Sequence, residues 1–223
     1  VKQALVIVAH PDDEVVGIGG TILKLQKEYG YKVHVEFMTT AKHNTKWVDV
    51  QAVSKKLGTT WMCPHPTGDN NLFHPLTLDG EPISNLVDYI EPILKERKPE
   101  IVFTHHIGDL NQDHRAVAEA VLIATRPYPG QYVKKLYTFD TPCSTVWGFG
   151  EFKRFEPNVF MDIDAYSKIK IEALEIYKEE IKDLDYTHPR SLHSIQIKNF
   201  ADGAKVGLKN VETFRLLRSI GSL

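Results

Sequence analysis

Cysteine is scarce in this chain: of 223 residues only Cys63 and Cys143 carry a thiol, far apart and without CxxC spacing. A disulfide framework and a zinc ribbon are thereby excluded, and two isolated thiols suit a reducing compartment, so the expected location is cytoplasmic. Long hydrophobic runs are also missing. No stretch approaches the roughly 18 consecutive apolar residues that a membrane-spanning helix needs. The opening VKQALVIVAH lacks a small-residue cleavage site, so its short apolar run reads as a strand and not as a signal peptide. Nor is there an excess of one charge: 27 Lys and Arg stand against 29 Asp and Glu, and the basic residues are scattered. Such a chain has no polyanion-binding footprint, and nucleic acid is not an expected partner. With no internal repeat, low-complexity tract or linker, residues 1–223 are expected to form a single domain, long enough for a substantial core.

What is present is concentrated in residues 6–20, VIVAHPDDEVVGIGG. The aliphatic residues around Val6 suit a strand buried on both faces of a parallel sheet. Pro11 stops that strand, because proline cannot donate to a ladder and fits a turn or the first position of a helix. The strand thus delivers His10, Asp12 and Asp13 onto the first turn of a helix. An imidazole at a strand end and a carboxylate three residues on converge on one point, while the carboxylate between them points elsewhere. One divalent ion can therefore be held by two of these groups, relieving the repulsion of adjacent carboxylates. A plainer use of the same residues is a helix cap by Asp12 or Asp13, with His10 at the surface. Gly17, Gly19 and Gly20 weaken the helix and are expected to let backbone approach a neighbouring strand or a ligand closely.

Residues 21–29 continue the helix to Gly30, and residues 32–39 (KVHVEFMT) alternate like a strand, completing a βαβ unit with a right-handed crossover. The polar stretch 40–46 belongs to the carboxyl edge of the sheet, where open α/β sheets bind ligands. Residues 47–57 read as a helix, 59–63 as a short strand and 64–82 as a long loop. A helix over 83–98 should be kinked or divided by Pro92. The strand 100–104 ends in His105 and His106, repeating the arrangement of the first. Residues 107–114 (IGDLNQDH) then read as a polar loop leading into a helix over 115–125. Beyond lie a strand (134–141), an aromatic loop (142–156), a strand (157–163), an amphipathic helix (164–181), the turn THPR (187–190) before a last helix, and a final strand or short helix over 211–220.

The segments AHPDDEVVGIGGTILKL and THHIGDLNQDHRAVAEAV, followed by PNVFMDI, HPRS and VGLKNVETFRLLR, resemble the PIG-L/LmbE family of zinc-dependent N-acetylglucosaminyl deacetylases nearly end to end. The resemblance implies a Rossmann-like three-layer α/β sandwich, with a mostly parallel sheet, helices on both faces and a metal at the sheet's carboxyl edge. It implies His10, Asp13 and His114 as the metal ligands and Asp12 as the general base. Zinc is the expected ion, another divalent metal the alternative. Two His and one Asp leave a fourth position for water, the design of a catalytic zinc site. The ion lowers the pKa of that water and polarises the carbonyl, and Asp12 takes the proton and returns it to the departing amine. Asp113 is placed to orient an imidazole from behind.

One departure from the family pattern matters. Many members read HPDH where this chain has Asn111-Gln112-Asp113-His114. Asn111 can donate a hydrogen bond to an oxyanion but cannot carry a positive charge or a transferable proton. His188 of the HPR turn is the alternative source of that charge, so Asn111 and His188 join Asp12 as catalytic candidates. An Arg that grips sugar in the family is absent from residues 40–46, which offer Lys42, His43 and Lys46. Ordinary surface or core use is expected for His34, His65, His74 and His193. His105 and His106 stand where they could touch substrate or the surroundings of the ligands. The aromatic residues at 147–155 suit stacking on a sugar, a hydrophobic cover, or contact between copies of a homo-oligomer.

The expected activity is removal of the N-acetyl group from a small-molecule N-acetylated amino sugar or a glycoconjugate. The rivals are hydrolysis of another amide, such as a thiol–sugar conjugate or an acylated antibiotic, and a metal- or nucleotide-sugar-binding module without turnover.

Overall fold

A computed structural model describes residues 1–39, 47–63, 78–177 and 186–221. Its strands are β1 (Gln3–Val8), β2 (Lys32–Phe37), β3 (Thr60–Met62), β4 (Ile101–His105), β5 (Lys135–Phe139), β6 (Val159–Asp162) and β7 (Val211–Ser219). Its α-helices are α1 (Asp13–Lys27), α2 (Trp47–Leu57), α3 (Ile83–Arg97), α4 (Gln112–Ala124), α5 (Ser167–Leu174) and α6 (Leu192–Ala204). The strands form one sheet in the order β3-β2-β1-β4-β5-β7-β6. β1 to β5 and β6 run in one direction, and β7 runs antiparallel to both its neighbours, β5 and β6.

β1 is central because it is apolar on both faces. Ala4, Val6 and Val8 enter one core with residues of α1, α2 and α5, whereas Leu5, Ile7 and Ala9 enter the other with residues of α3 and α4. That two-sided burial is why its sequence shows an unbroken apolar run and no alternation. The chain leaves β1 toward β2 on one side and returns to β4 on the other. The carboxyl ends of β1 and β4 therefore flank the crevice where strand order reverses, the usual ligand position in open α/β sheets.

Two glycines of α1 set how closely that helix approaches the sheet. A Cβ on Gly17 would stand 2.3 Å from Phe139 Cδ2, and one on Gly20 would stand 2.8 Å from Ile163 Cβ. The close approach expected of these glycines is thus to β5 and to the residue that follows β6. α1 is also held by a buried ion pair: Lys170 Nζ donates to the Val16 carbonyl at 2.8 Å and to Glu212 Oε1 at 2.7 Å. The same carboxylate accepts from the backbone N–H groups of Gly20 and Thr21.

Three sequence expectations are corrected. Pro92 does not divide α3. It lies on the exposed face, as does Asp88, whose carbonyl would lose its helical partner there and can turn to water instead. The helix after β4 begins at Gln112 and not at residue 115, because the Asn111 side chain accepts from the Asp113 N–H at 3.0 Å and caps it. The helix expected over 164–181 is an α-helix only over Ser167–Leu174, between 3-10 turns at Asp164–Tyr166 and Glu175–Tyr177, and it buries Lys170. Residues 211–219 resolve as a strand. Residues 40–46 with Lys42, His43 and Lys46, residues 64–77 with His65 and His74, and residues 178–181 lie outside the described residues. Among the described residues no helix is long and apolar enough to cross a membrane.

Candidate metal centre

Two strand–turn–helix units meet over the crevice. The first carries His10 two residues past β1 and Asp13 at the start of α1; the second carries His114 in the first turn of α4. One ligand atom from each of His10, Asp13 and His114 lies within 4.8 Å of the others, and all three residues are buried. His10 Nδ1 and His114 Nε2 each stand 3.3 Å from Asp13 Oδ2. An ion bound tetrahedrally at about 2.05 Å has ligand atoms about 3.3 Å apart, the separation of each imidazole nitrogen from Asp13 Oδ2 here. Their N, O, N chemistry also suits other divalent metals.

Both histidines are braced from behind by carboxylates. His10 Nε2 meets Asp113 Oδ2 at 2.8 Å, which leaves Nδ1 facing Asp13. Asp113 Oδ1 accepts from the Leu78 N–H at 3.0 Å. Burial alone would lower the His10 pKa, but Asp113 and Asp13 outweigh it and hold the imidazole above its usual range. His114 Nδ1 lies 3.3 Å from Asp109 Oδ2, an ion-pair distance without good hydrogen-bond alignment. Burial opposes a charge on His114 too, yet Asp13 and Asp109 push its pKa up to about 10. Asp13, although buried, is held well below the usual carboxylate range by His114 and His10. Asp109 is itself tethered, accepting from the Asn111 N–H at 2.8 Å and from the hydroxyls of Ser144 and Thr145 at 3.0 and 2.5 Å.

His105 lies beneath the cluster without being one of its three ligands. Its Nε2 accepts the Ala9 N–H at 3.0 Å, so the proton of the neutral ring sits on Nδ1, 3.4 Å from Thr141 Oγ1. The ring stacks on His114 at a centroid distance of 3.9 Å and an interplanar angle of 9°. Burial, with the His114 charge, lowers its pKa to about 3. His106 instead ties down the aromatic loop, its Nε2 lying 2.7 Å from the Lys153 carbonyl. His34 is a core residue bonded to Thr60 and Glu36, and His193 meets Tyr186 edge-on.

Asp12 is paired with a cation that is not part of the cluster. Its carboxylate Oδ2 is hydrogen-bonded to Arg190 Nη2, and its backbone has φ of 110°. That left-handed conformation costs an aspartate on the order of 1–3 kcal/mol. Glu14, next to Asp13, is buried, and burial foremost raises its pKa to about 8. Asn111 has its side-chain oxygen committed to the helix cap, leaving the amide NH₂ as its donor. His188 Nδ1 accepts the Arg190 N–H at 3.1 Å, so its Nε2 bears the proton in the neutral form. The His188 ring lies edge-on to Trp147, 5.8 Å between centroids.

The structure therefore brings His10, Asp13 and His114 together and places Asp12 beside them. Arg190, Asp109, Glu14 and Tyr177 were not singled out from the sequence as site residues. The third acid of HPDDE and the Arg of HPRS were the available signals. The loop after β5 exposes Phe149 and Trp147, and a cavity of about 530 Å³ lies between that loop and α6, lined by Phe149, Phe155, Lys198 and Lys205 and by none of the cluster residues.

A crevice at the reversal of strand order, holding two histidines and an aspartate that could hold a metal ion, with a second carboxylate on the adjoining residue, defines an α/β protein with a candidate metal centre. The chain belongs to the PIG-L family, described as GlcNAc-PI de-N-acetylase, whose model matches residues 5–125. It is 27% identical over 183 residues to the Escherichia coli (strain K12) protein named uncharacterized deacetylase YaiS, covering 79% of this chain and 91% of that protein. The fold is shared with N,N'-diacetylchitobiose deacetylase from Pyrococcus horikoshii, with a TM-score of 0.72, 20% identity, and coverage of 97% of this chain and 84% of that one. It is shared as well with GalB, the 4-carboxy-2-hydroxymuconate hydratase of Pseudomonas putida KT2440, with a TM-score of 0.67, 20% identity and full coverage of both chains. One fold thus serves more than one reaction, and the site has to carry the functional argument.

Proposed function

We propose that this protein is a metal-dependent N-deacetylase that cleaves the acetamide of an N-acetylated amino sugar or glycoconjugate. The observation that supports it most is the pair of 3.3 Å separations from Asp13 Oδ2 to His10 Nδ1 and His114 Nε2, with a second carboxylate, Asp12, on the adjoining residue and outside the ligand set. His10, Asp13 and His114 would hold the ion, which when bound supplies Lewis-acid polarisation of the amide carbonyl and a lowered pKa for water. Asp12 is the base, taking the proton of the attacking water and passing it to the departing amine. Arg190 fixes the orientation of that carboxylate. The NH₂ of Asn111 and the Nε2–H of His188 are donors available to a developing oxyanion, and neither needs a charge for that task.

The test is to incubate the protein with zinc, or with other divalent ions in turn, and with N-acetylglucosamine, N,N'-diacetylchitobiose and a nucleotide-linked N-acetyl sugar, and to assay acetate and primary amine. Release from at least one compound, abolished together with ion binding in Asp13→Ala, is the expected result. Stoichiometric ion binding with no amide cleaved across a wide panel of acetylated and longer-chain acyl substrates would overturn the deacetylase reading.

A further inference from the structure

The backbone of Asp12, at a φ of 110°, is hydrogen-bonded at both its N–H and its carbonyl to the first turn of α1. Its N–H donates to Glu14 Oε2 at 2.9 Å, and its carbonyl accepts from the N–H groups of Val15 and Val16 at 3.0 and 2.9 Å. The other oxygen of Glu14, Oε1, accepts the hydroxyl of Tyr177 at 2.9 Å. Tyr177 is buried, and it lies more than 160 residues downstream, in the 3-10 turn that follows α5. Seven residues before it, on α5 itself, Lys170 grips the Val16 carbonyl. The segment formed by α5 and the 3-10 turn after it thus holds the first turn of α1 at two points, Glu14 and Val16.

The conformation of Asp12 has a consequence for the carboxylates. Asp13 sends Oδ2 to the His10 and His114 nitrogens, while the preceding residue sends its own carboxylate to Arg190. Successive side chains can part in this way because the peptide between His10 and Asp13 turns through a positive φ. With φ in the ordinary negative range, the direction of the Asp12 side chain would change relative to the cluster.

We propose that Tyr177, acting through Glu14, is a positioning residue that keeps Asp12 in its left-handed conformation and so holds the base carboxylate apart from the ligand carboxylate of Asp13. The effect on catalysis rests on the assignment of Asp12 as the base; the effect on the backbone does not. Glu14 serves here as a two-sided hydrogen-bond anchor, and its charge is not required. Glutamine can replace it, its carbonyl oxygen accepting the Asp12 N–H and its NH₂ donating to the Tyr177 oxygen.

The test compares Tyr177→Phe, Glu14→Gln and Glu14→Ala with the wild type in the metal-loaded protein. It reads hydrogen exchange at the Asp12 amide by NMR, bound ion per chain, and kcat and KM on an acetylated sugar that the wild type hydrolyses. In Tyr177→Phe the Asp12 amide should exchange at least tenfold faster and kcat should fall about tenfold, with ion content and KM unchanged. Glu14→Gln should stay within threefold of wild type in exchange and kcat, and Glu14→Ala, where it folds, should be at least as impaired as Tyr177→Phe. Wild-type exchange and kcat in Tyr177→Phe would overturn the proposal. So would a Glu14→Gln protein that exchanges fast and is as inactive as one without the anchor, since Glu14 would then act through its charge. If no acetylated sugar is turned over by the wild type, the exchange measurements alone decide the anchor, and the failure belongs to the deacetylase reading.

Discussion

Replacing Asp113 by Asn tests the metal centre through a residue that is not itself a ligand. The aspartate performs two acceptor tasks with two different oxygens: Oδ2 faces His10 Nε2 at 2.8 Å and Oδ1 takes the Leu78 N–H at 3.0 Å. Asparagine has one oxygen and one NH₂, so it can perform only one of them. If its oxygen keeps the Leu78 N–H, the NH₂ donates to His10 Nε2, which forces the imidazole proton onto Nδ1, the nitrogen that must offer its lone pair to the ion. If the oxygen keeps His10, a donor faces the Leu78 N–H in a buried setting. Disturbing the carboxylate behind a ligating histidine typically lowers metal affinity 10–100-fold, or about 1.4–2.7 kcal/mol. A buried donor left without an acceptor costs about 1–3 kcal/mol of stability. The first orientation is expected, because it keeps the buried Leu78 N–H paired and spends the cost on the His10 contact and the ion's affinity, whereas the second leaves that N–H without an acceptor. Competition with a chromophoric chelator reads the affinity, and urea unfolding of the metal-free protein reads the stability. An Asp113→Asn protein within twofold of wild-type affinity and with unchanged unfolding would refute the reasoning that Asp113 sets the His10 tautomer.

Three further outcomes are expected. Asp12→Asn should bind the ion as the wild type does while kcat falls at least about 10²-fold, the scale of a lost general base; equilibrium dialysis and acetate release check the two halves separately. In the metal-free protein stability should fall as pH rises from about 6.5 to 9, followed as Tm in the presence of a chelator. The sign follows from two groups whose folded pKa is raised: His114, at about 10, contributes stability that is full below its unfolded value near 6.5 and is lost as pH climbs toward 10. Glu14, at about 8, likewise favours the fold while protonated and loses that contribution between about 4.5 and 8. A metal-free Tm that rises over this interval would show that neither proton is retained. Gly17→Ala should destabilise by about 2 kcal/mol in urea, because a methyl 2.3 Å from the Phe139 ring overpacks the helix–sheet contact and the helix-propensity gain of about 1 kcal/mol offsets only part.

The strands and the approach of His10 to Asp13 were legible because they rest on local rules. An unbroken aliphatic run before a proline reads as a two-sided strand, and the three-residue spacing of His10 and Asp13 carries its own geometry. The start of α4 was missed by three residues because a polar stretch such as NQDH looks like loop until Asn111 is recognised as a cap. The shortness of α5 was missed for a different reason. Lys170 has the appearance of a solvent residue on an amphipathic helix, and only the tertiary pairing with Glu212 makes it a core one. Arg190 and Tyr177 could not be found from spacing at all. Their partners, Asp12 and Glu14, lie more than 160 residues away, and pairings of that kind are set by how helices pack on the sheet.

The same dependence on packing governs the cluster, because its two units brace one another. His10 comes from the unit after β1, yet the carboxylate that orients it, Asp113, comes from the unit after β4. His105 ends β4, yet its ring nitrogen accepts the Ala9 N–H, three residues past Val6, the last β1 residue paired with β4. His105 in turn supports the face of His114. These cross-connections fix the register in which Ala4 pairs with Ile101, Leu5 with Val102 and Val6 with Phe103. A slip of one residue between these strands would move their side chains to opposite faces and separate the ends by about 3.3 Å, as large as the whole distance between ligand atoms at Asp13. The parallel ladder is therefore the ruler for the site. The apolar residues that bury β1 in two cores are what hold His10 and His114 on either side of Asp13.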